Sequence, residues 1–574
     1  MNSTNFRKIG TLLTLVAGVF LGGCTPRLAS SPDVAPPHLE QRGDATQLIV
    51  NGKPWLVLGC ELGNSSASSR AYMQPVWEKL AATGVNTVLA TVSWEQIEPE
   101  EGQFDFTVVD GLLADARTHG MKLALLWFGS WKNGITSYTP TWVKRDTERF
   151  PLAQTPEGQP LPILSTLGSE TCAADARAFA ALMRHLKEVD AVEQTVILMQ
   201  IENEVGLHGH PRDYAPLAEE AFRSAVPAAL TDWLTTRRET LLPETRAAWE
   251  AGGCRTEGTW EEIFGKNDRA AELFMAWHYA AYMGRIAEAG RAEYDLPTFV
   301  NAWIVQPEDT RPGNYPSGGP QAQNHDIWRA AAPHIDLLTP DIYLDDFPAI
   351  AALYARGGNP LFVPESRSGQ NGAANAAYAI GALHAIGYSP FGFERNCDQP
   401  VNDTFCQFYQ KAGRIAGPIL AAQAEGRIGA AWLKGSEPRR VKEEIRLGDV
   451  RICCELVSSG MRNGGAPQLT GGTYDPAAIG YLLAIRETDG WLFLGSNVRV
   501  TFLPADGEGY LGLAKVTEGD FDAQGRWHEG RWLNGDEIQL RYDLLYAVDE
   551  GFSGQGLNFG TPEPAFLKVE LFNY

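Results

Sequence analysis

The sequence predicts an α/β fold, a (β/α)8 TIM barrel followed by a smaller C-terminal β-sandwich domain. Two observations carry this. Between Trp55 and Glu394 short apolar runs alternate with helical patterns, the rhythm of parallel βα units. After about Gln423 the texture changes to Gly-rich turns between alternating strands. A chain of 574 residues also exceeds one ordinary domain, which fits a large domain plus a smaller one.

Eight runs read as barrel strands: residues 55–62, 86–92, 122–128, 195–202, 298–303, 335–343, 361–365 and 388–394. Most are continuously apolar, as expected of strands buried on both faces. Eight such units close naturally into a barrel. An open doubly wound sheet would want a phosphate-binding glycine fingerprint after the first strand. Gly59-Cys60-Glu61-Leu62-Gly63 does not supply one. A helix opened by Pro75, with Val76, Trp77 and Leu80 on one face and Gly84 as its stop, links the first two runs. Residues 206–296 are too many for a single crossover and predict several extra helices above the barrel. In the tail, Val498, Val500 and Phe502 share one face of a strand, and 565–572 reads similarly. The barrel is assigned to 45–422 and the β-sandwich to 423–574.

The N-terminus reads as a targeting segment. Arg7 and Lys8 form a positive n-region, and residues 11–21 are apolar but too few for a stable span. Leu21-Gly22-Gly23-Cys24 resembles a bacterial lipobox, which makes 1–24 a lipoprotein signal peptide and Cys24 the lipidated residue. Thr25, rather than Asp, follows the cysteine, which by analogy with lipoprotein sorting favours the outer membrane of a Gram-negative cell. Residues 25–44 read as a tether, Ser- and Pro-rich from Pro26 to Pro37. The net charge of −22 argues against nucleic acid or an anionic lipid surface as partner, since both need a basic patch. It suits a neutral ligand such as a sugar. Of 8 cysteines, Cys397 and Cys406 are close enough in sequence to pair, and an exported setting permits it. No Cys or His cluster has metal-ligand spacing, and no cofactor is expected. His208 and His210 read as part of a polar loop.

In such barrels chemistry sits at the C-terminal strand ends. The carboxylates there are Glu61, Glu95, Glu204, Asp341, Glu365 and Glu394. Glu204 ends the fourth run in Gln200-Ile201-Glu202-Asn203-Glu204-Val205-Gly206, and Glu365 ends the seventh in Leu361-Phe362-Val363-Pro364-Glu365-Ser366. Cleavage of a glycosidic bond with retention needs two carboxyls about 5–5.5 Å apart, one a nucleophile and one an acid/base. Strands four and seven can bring their side chains together at the mouth.

These residues also carry a family resemblance. Asn203-Glu204 and Glu365 resemble the retaining glycosidases with barrel folds. More narrowly, the Gln200–Gly206 motif resembles the acid/base motif of glycoside hydrolase family 35, the β-galactosidases. Ser93-Trp94-Glu95-Gln96-Ile97-Glu98-Pro99, with Glu101-Gly102-Gln103-Phe104-Asp105-Phe106, resembles the loop after strand two in that family and in family 42. Leu126-Trp127-Phe128-Gly129-Ser130-Trp131-Lys132-Asn133-Gly134 resembles a bacterial subgroup of family 35 with a C-terminal β-domain. The resemblance implies Glu204 as acid/base, Glu365 as nucleophile and Asn203 as a hydrogen-bond partner of the sugar 2-hydroxyl. Tyr343 either orients Glu365 or packs at the rim. Trp94, Trp131 and Trp303 are candidate stacking faces for a sugar, whereas Trp127 is expected in the core. Glu394 is a candidate acceptor for sugar hydroxyls; Glu98 is either that or part of a solvated rim. The expected function is an exo-β-galactosidase trimming plant cell-wall oligosaccharides such as xyloglucan fragments. The alternatives are another retaining exo-glycosidase of the same clan, an arabinosidase or β-glucosidase, and a non-catalytic surface sugar-binding lipoprotein.

Overall fold

The computed structural model describes residues 35–457, 475–533, 535, 537–538 and 553–574. Cys24, the signal segment and the start of the tether lie outside them. The first described elements are β1 (His38–Arg42), β2 (Ala45–Val50) and β3 (Lys53–Trp55), a three-stranded antiparallel sheet. Residues 38–42 were expected in the tether. Their polar sequence hid an edge strand, paired on one side to β2 and half-exposed on the other.

The barrel then follows. Its strands are β4 (Val57–Glu61), β5 (Thr87–Ser93) and β6 (Lys122–Lys132) and, after a small hairpin of β7 (Leu152–Gln154) and β8 (Pro160–Leu164), β9 (Val196–Asn203). β10 (Thr298–Trp303), β11 (Leu337–Ile342), β12 (Val363–Ser366) and β13 (Gly387–Pro390) complete it, and β13 pairs in parallel with β4 to close the ring. Each strand falls on one of the eight expected runs. Most of their residues are buried, because helices cover the outside and side chains fill the inside. Leu48 and Val50 of β2 cluster with Val57, Leu89, Leu126, Leu198, Phe299, Leu337 and Phe362, so the N-terminal sheet plugs the bottom of the barrel.

The first helix, Arg70–Ala81, starts earlier than expected. Ser69 caps it by accepting the Tyr72 N–H at 3.3 Å, and Pro75 lies within its second turn. The lost backbone bond at Pro75 is offset by a packed face of Met73, Val76, Trp77 and Leu80. The long segment after β9 holds helices Pro216–Arg223, Ala228–Thr236, Pro243–Ala251, Trp260–Phe264 and Asp268–Glu293. Cys397 and Cys406 are both buried free thiols rather than a disulfide. Cys406 is committed to the packed face of helix Thr404–Arg414, and Cys397 follows the short helix Phe393–Asn396.

The C-terminal region contributes β14 (Ile428–Lys434), β15 (Lys442–Leu447), β16 (Val450–Leu456), β17 (Ile479–Glu487), β18 (Gly490–Ser496), β19 (Val498–Pro504), β20 (Leu511–Phe521), β21 (Trp527–Trp532), β22 (Leu557–Phe559) and β23 (Ala565–Asn573). Among the described residues these form two antiparallel sheets, ordered β14-β17-β18-β23-β20-β21 and β15-β16-β19-β22. Val498, Val500 and Phe502 all enter the core between the sheets, as their spacing predicts. Trp432 and Tyr481 instead join the barrel's hydrophobic cluster, and the Trp432 indole N–H donates to Asn375 Oδ1 at 2.9 Å.

Candidate active site

A regular strand would send Asn203 and Glu204 to opposite faces. Here Glu202 and Glu204 both adopt the left-handed region, with φ of 58° and 44°, which breaks the alternation at the end of β9. β6 explains what holds this conformation. Its pairing with β9 jumps from Trp127–Ile201 to Lys132–Asn203, so residues 128–131 bulge out of the ladder. The N–H groups of Gly129, Ser130 and Trp131 wrap the Glu202 carboxylate at 3.2, 2.9 and 2.8 Å. The bulge delivers Lys132, whose ammonium donates to Asn203 Oδ1 at 2.9 Å and also bonds Asn133. From β10, Asn301 accepts the Glu204 N–H at 3.0 Å and donates to Asp341 Oδ2 at 2.6 Å. Glu204 is thereby tied at its backbone, while its carboxyl lies in hydrogen-bonding contact with Asp341.

Glu365, next to last in β12, lies beside this group, opposite Asp341 of β11. Tyr343 donates its hydroxyl to Glu365 Oε1 at 2.6 Å, and Oε2 has no protein partner among the described residues. Glu204 and Glu365 are 8% and 7% exposed. Burial raises the proton affinity of both, but their neighbours separate them. Burial, then the charge of Glu365, pushes Glu204 up to about 7 against the pull of Lys132 and Asp341. Burial also raises Glu365, while Lys132 and the Tyr343 hydroxyl favour its charged form. The arrangement can therefore hold a proton on Glu204 while Glu365 is ionised, the division of labour that a two-carboxyl mechanism needs.

Other expected residues fall elsewhere. Trp94 is fully buried; its indole N–H donates to Glu98 Oε2 at 2.8 Å and its ring meets Trp142 edge-on. Glu98 is buried too and accepts the Gly102 N–H at 2.7 Å, so this pair braces the loop after β5 and does not offer a sugar contact. Trp131 is core: it packs on Tyr279 and Tyr282 and donates to the Leu164 carbonyl at 3.1 Å. A strand-end tryptophan looks the same in sequence whether it faces a pocket or a long insertion, and here the helix Asp268–Glu293 covers it. Trp303 stays 36% exposed at the end of β10, edge-on to His208 at 5.5 Å. Glu394 lies beyond β13, on the helix Phe393–Asn396. Its Oε1 accepts from the Gly63 N–H and the Ser66 hydroxyl at 2.9 and 3.0 Å, while Oε2 has no partner. Lys132 and Asn301 were missed as site residues. The available signal was a polar residue closing (Lys132) or interrupting (Asn301) an otherwise apolar strand, which burial penalises unless it has a task.

Tyr343→Phe provides a test of this electrostatic division. Losing the hydroxyl removes a hydrogen bond to the charged form of Glu365, so its pKa should rise further. The acid limb of kcat/KM should move to higher pH, the alkaline limb set by Glu204 near 7 should move little, and kcat should fall by about 10- to 100-fold. An unmoved acid limb would assign Tyr343 to rim packing.

Two family profiles match the chain. One described as Beta-galactosidase, of glycoside hydrolase family 42, covers residues 65–272, and one described as a domain of unknown function (DUF5597) covers residues 405–544. A β-galactosidase from Xanthomonas manihotis is 32% identical over 118 residues, 20% of this chain and 19% of that protein. A β-galactosidase from an Arthrobacter species is 29% identical over 190 residues, 32% of this chain and 25% of that protein. The chain thus aligns with a quarter or less of the length of these curated relatives. Among solved structures, the β-galactosidase of the psychrophilic Marinomonas ef1 matches 65% of this chain and 60% of its own, at 13% identity and a TM-score of 0.41. The matched segment 65–272 contains Asn203 and Glu204 but ends before Glu365.

Proposed function

We propose that this protein is a retaining exo-β-galactosidase. The observation that carries the reading is the pair of buried strand-end carboxyls at one mouth, both raised by burial, with Glu204 pushed up to about 7 by the charge of Glu365 as well and Glu365 held by the Tyr343 hydroxyl. The β-galactosidase profile and the two relatives support the choice of sugar. The finer placement in family 35 rests on the Gln200–Gly206 motif.

In the first step Glu365 attacks the anomeric carbon through its unheld Oε2, and the bond to the leaving oxygen breaks. Glu204 gives that oxygen its proton. The product is a glycosyl ester on Glu365. Water then attacks the same carbon, Glu204 takes the water's proton, and Glu365 leaves as carboxylate. Two inversions at one carbon give net retention. A panel of aryl glycosides tests the sugar, with the β-galactoside expected to be cleaved fastest. NMR of early turnover should show β-galactose first. The α-anomer first would sink the double displacement.

The natural substrate is proposed as plant cell-wall oligosaccharides such as xyloglucan fragments, met at the surface of a cell to which Cys24 anchors the enzyme. Cys24→Ser should then move the protein from the membrane to the soluble fraction with unchanged activity, because each buried lipid methylene contributes about 0.8 kcal/mol. A variant still sedimenting with membranes would refute the anchor.

A further inference from the structure

Buried carboxylates in this molecule are, as a rule, well supplied with donors. Glu202 accepts three backbone N–H groups. Asp190 accepts from the N–H groups of Thr195 and Val196 and from Arg117. Asp213 accepts from the N–H groups of Gln154 and Ala215 and from the Ser165 hydroxyl. Glu272 has Arg269 and the Tyr315 hydroxyl. Glu61 breaks the pattern. It ends β4 at 1% exposure, and neither of its oxygens has a hydrogen-bond partner among the described residues.

A buried polar group without a partner is costly and calls for an explanation. The surroundings of Glu61 supply one. On β4 Val57 belongs to the cluster that fills the barrel while Leu58 and Cys60 pack outward, so the alternation of the strand puts Glu61 on the inner face at the mouth, where the charges of Glu365, Lys132, Glu204 and Glu394 act on it. Around that same space Asn203 Nδ2, Glu365 Oε2 and Glu394 Oε2 are also unpartnered among the described residues. A structural carboxylate would be matched from within the fold, as the adjoining Glu394 is through Oε1. Orphaned donors and acceptors converging on one space are those of a site whose partners arrive with the ligand.

Position decides which part of the ligand. The anomeric carbon must sit between β9, bearing Glu204, and β12, bearing Glu365. In the ring of strands β4 lies two places beyond β12, past β13, and three places from β9 by the other route. A pyranose held at its anomeric carbon extends toward β4 with its distal edge, the edge bearing the hydroxyls at C3, C4 and C6. The 2-hydroxyl stays on the β9 side near Asn203.

We propose that Glu61 is a specificity-determining residue that hydrogen-bonds hydroxyls on the distal edge of the glycosyl ring. This rests on the glycosidase reading given above and adds to it a residue that sets which sugar is accepted. Burial, with the neighbouring charge of Glu365, raises the Glu61 pKa, so that its carboxyl can donate to one hydroxyl as well as accept from another.

The test couples substitutions to deoxygenated substrates. kcat/KM is measured for the wild type, Glu61→Ala and the near-isosteric Glu61→Gln on p-nitrophenyl β-galactoside and its 2-, 3-, 4- and 6-deoxy analogues. In the wild type, removing a hydroxyl that Glu61 contacts should lower kcat/KM by about 10- to 100-fold. In Glu61→Ala that penalty should vanish at one or more of C3, C4 and C6, while the 2-deoxy penalty stays as in the wild type. Penalties that are the same in both proteins at every position would overturn the proposal and leave Glu61 a structural residue. Glu61→Gln, which keeps the volume and one acceptor, should show a partial loss of the same coupling and serves if the alanine variant does not fold. If the wild type cleaves no β-galactoside but cleaves another glycoside, the galactosidase reading fails. The same deoxy series on that glycoside then decides Glu61 separately.

Discussion

Glu365→Ala should lose essentially all turnover, by about 10⁵-fold or more, while the barrel stays folded. Among the described residues the side chain makes one hydrogen bond, accepted from Tyr343, so on the proposed mechanism its removal takes away the nucleophile and no packed core volume. The vacated space lies on the face of the sugar that Glu365 would attack. Azide can enter there, form a bond to the anomeric carbon as the leaving group departs, and remain. The expected product is an α-galactosyl azide, with activity partly restored as azide concentration rises. Full activity without azide would remove Glu365 from the mechanism and direct attention to Asp341, the other strand-end carboxyl in contact with Glu204.

Glu204→Ala should split substrates by leaving group. A sugar hydroxyl leaves poorly and needs the proton, so cleavage of galactosylated oligosaccharides should fall by roughly 10²–10⁴-fold. Dinitrophenolate leaves unaided. On a dinitrophenyl galactoside the first step should survive far better, deglycosylation without its base should become limiting, and a burst of dinitrophenol should precede a slow steady state. Equal losses on both substrates, with no burst, in a folded variant would make Glu204 structural.

The barrel was legible because each strand is a compact apolar run, and a strand buried on both faces has no other way to look. The end of β9 was legible for the same reason, since two acidic residues and an amide closing such a run are costly to bury. The bracing of Glu202 was not. It depends on backbone N–H groups of a bulge on β6, and backbone groups carry no letter in the sequence. Trp94 and Trp131 misled because an indole packs equally well on a sugar or on Trp142 and Tyr282. Lys132 went unnoticed although a lysine after Leu123–Trp131 is out of place in an apolar run. Its role emerges only when the bulge sets it against Asn203.

The plug beneath the barrel has a further consequence. Ala35, the first described residue, offers its carbonyl to Gln194, and Gln194 stands immediately ahead of the strand β9 whose far end carries Glu204. The chain therefore leaves the barrel toward its N-terminus on the floor, with the catalytic mouth on the roof. On the proposal that Cys24 is lipidated, a leash attached to the floor aims the mouth outward from the lipid. A saccharide chain would then approach the mouth end-on with no bilayer in its way, and at least the height of the barrel would separate lipid from reaction.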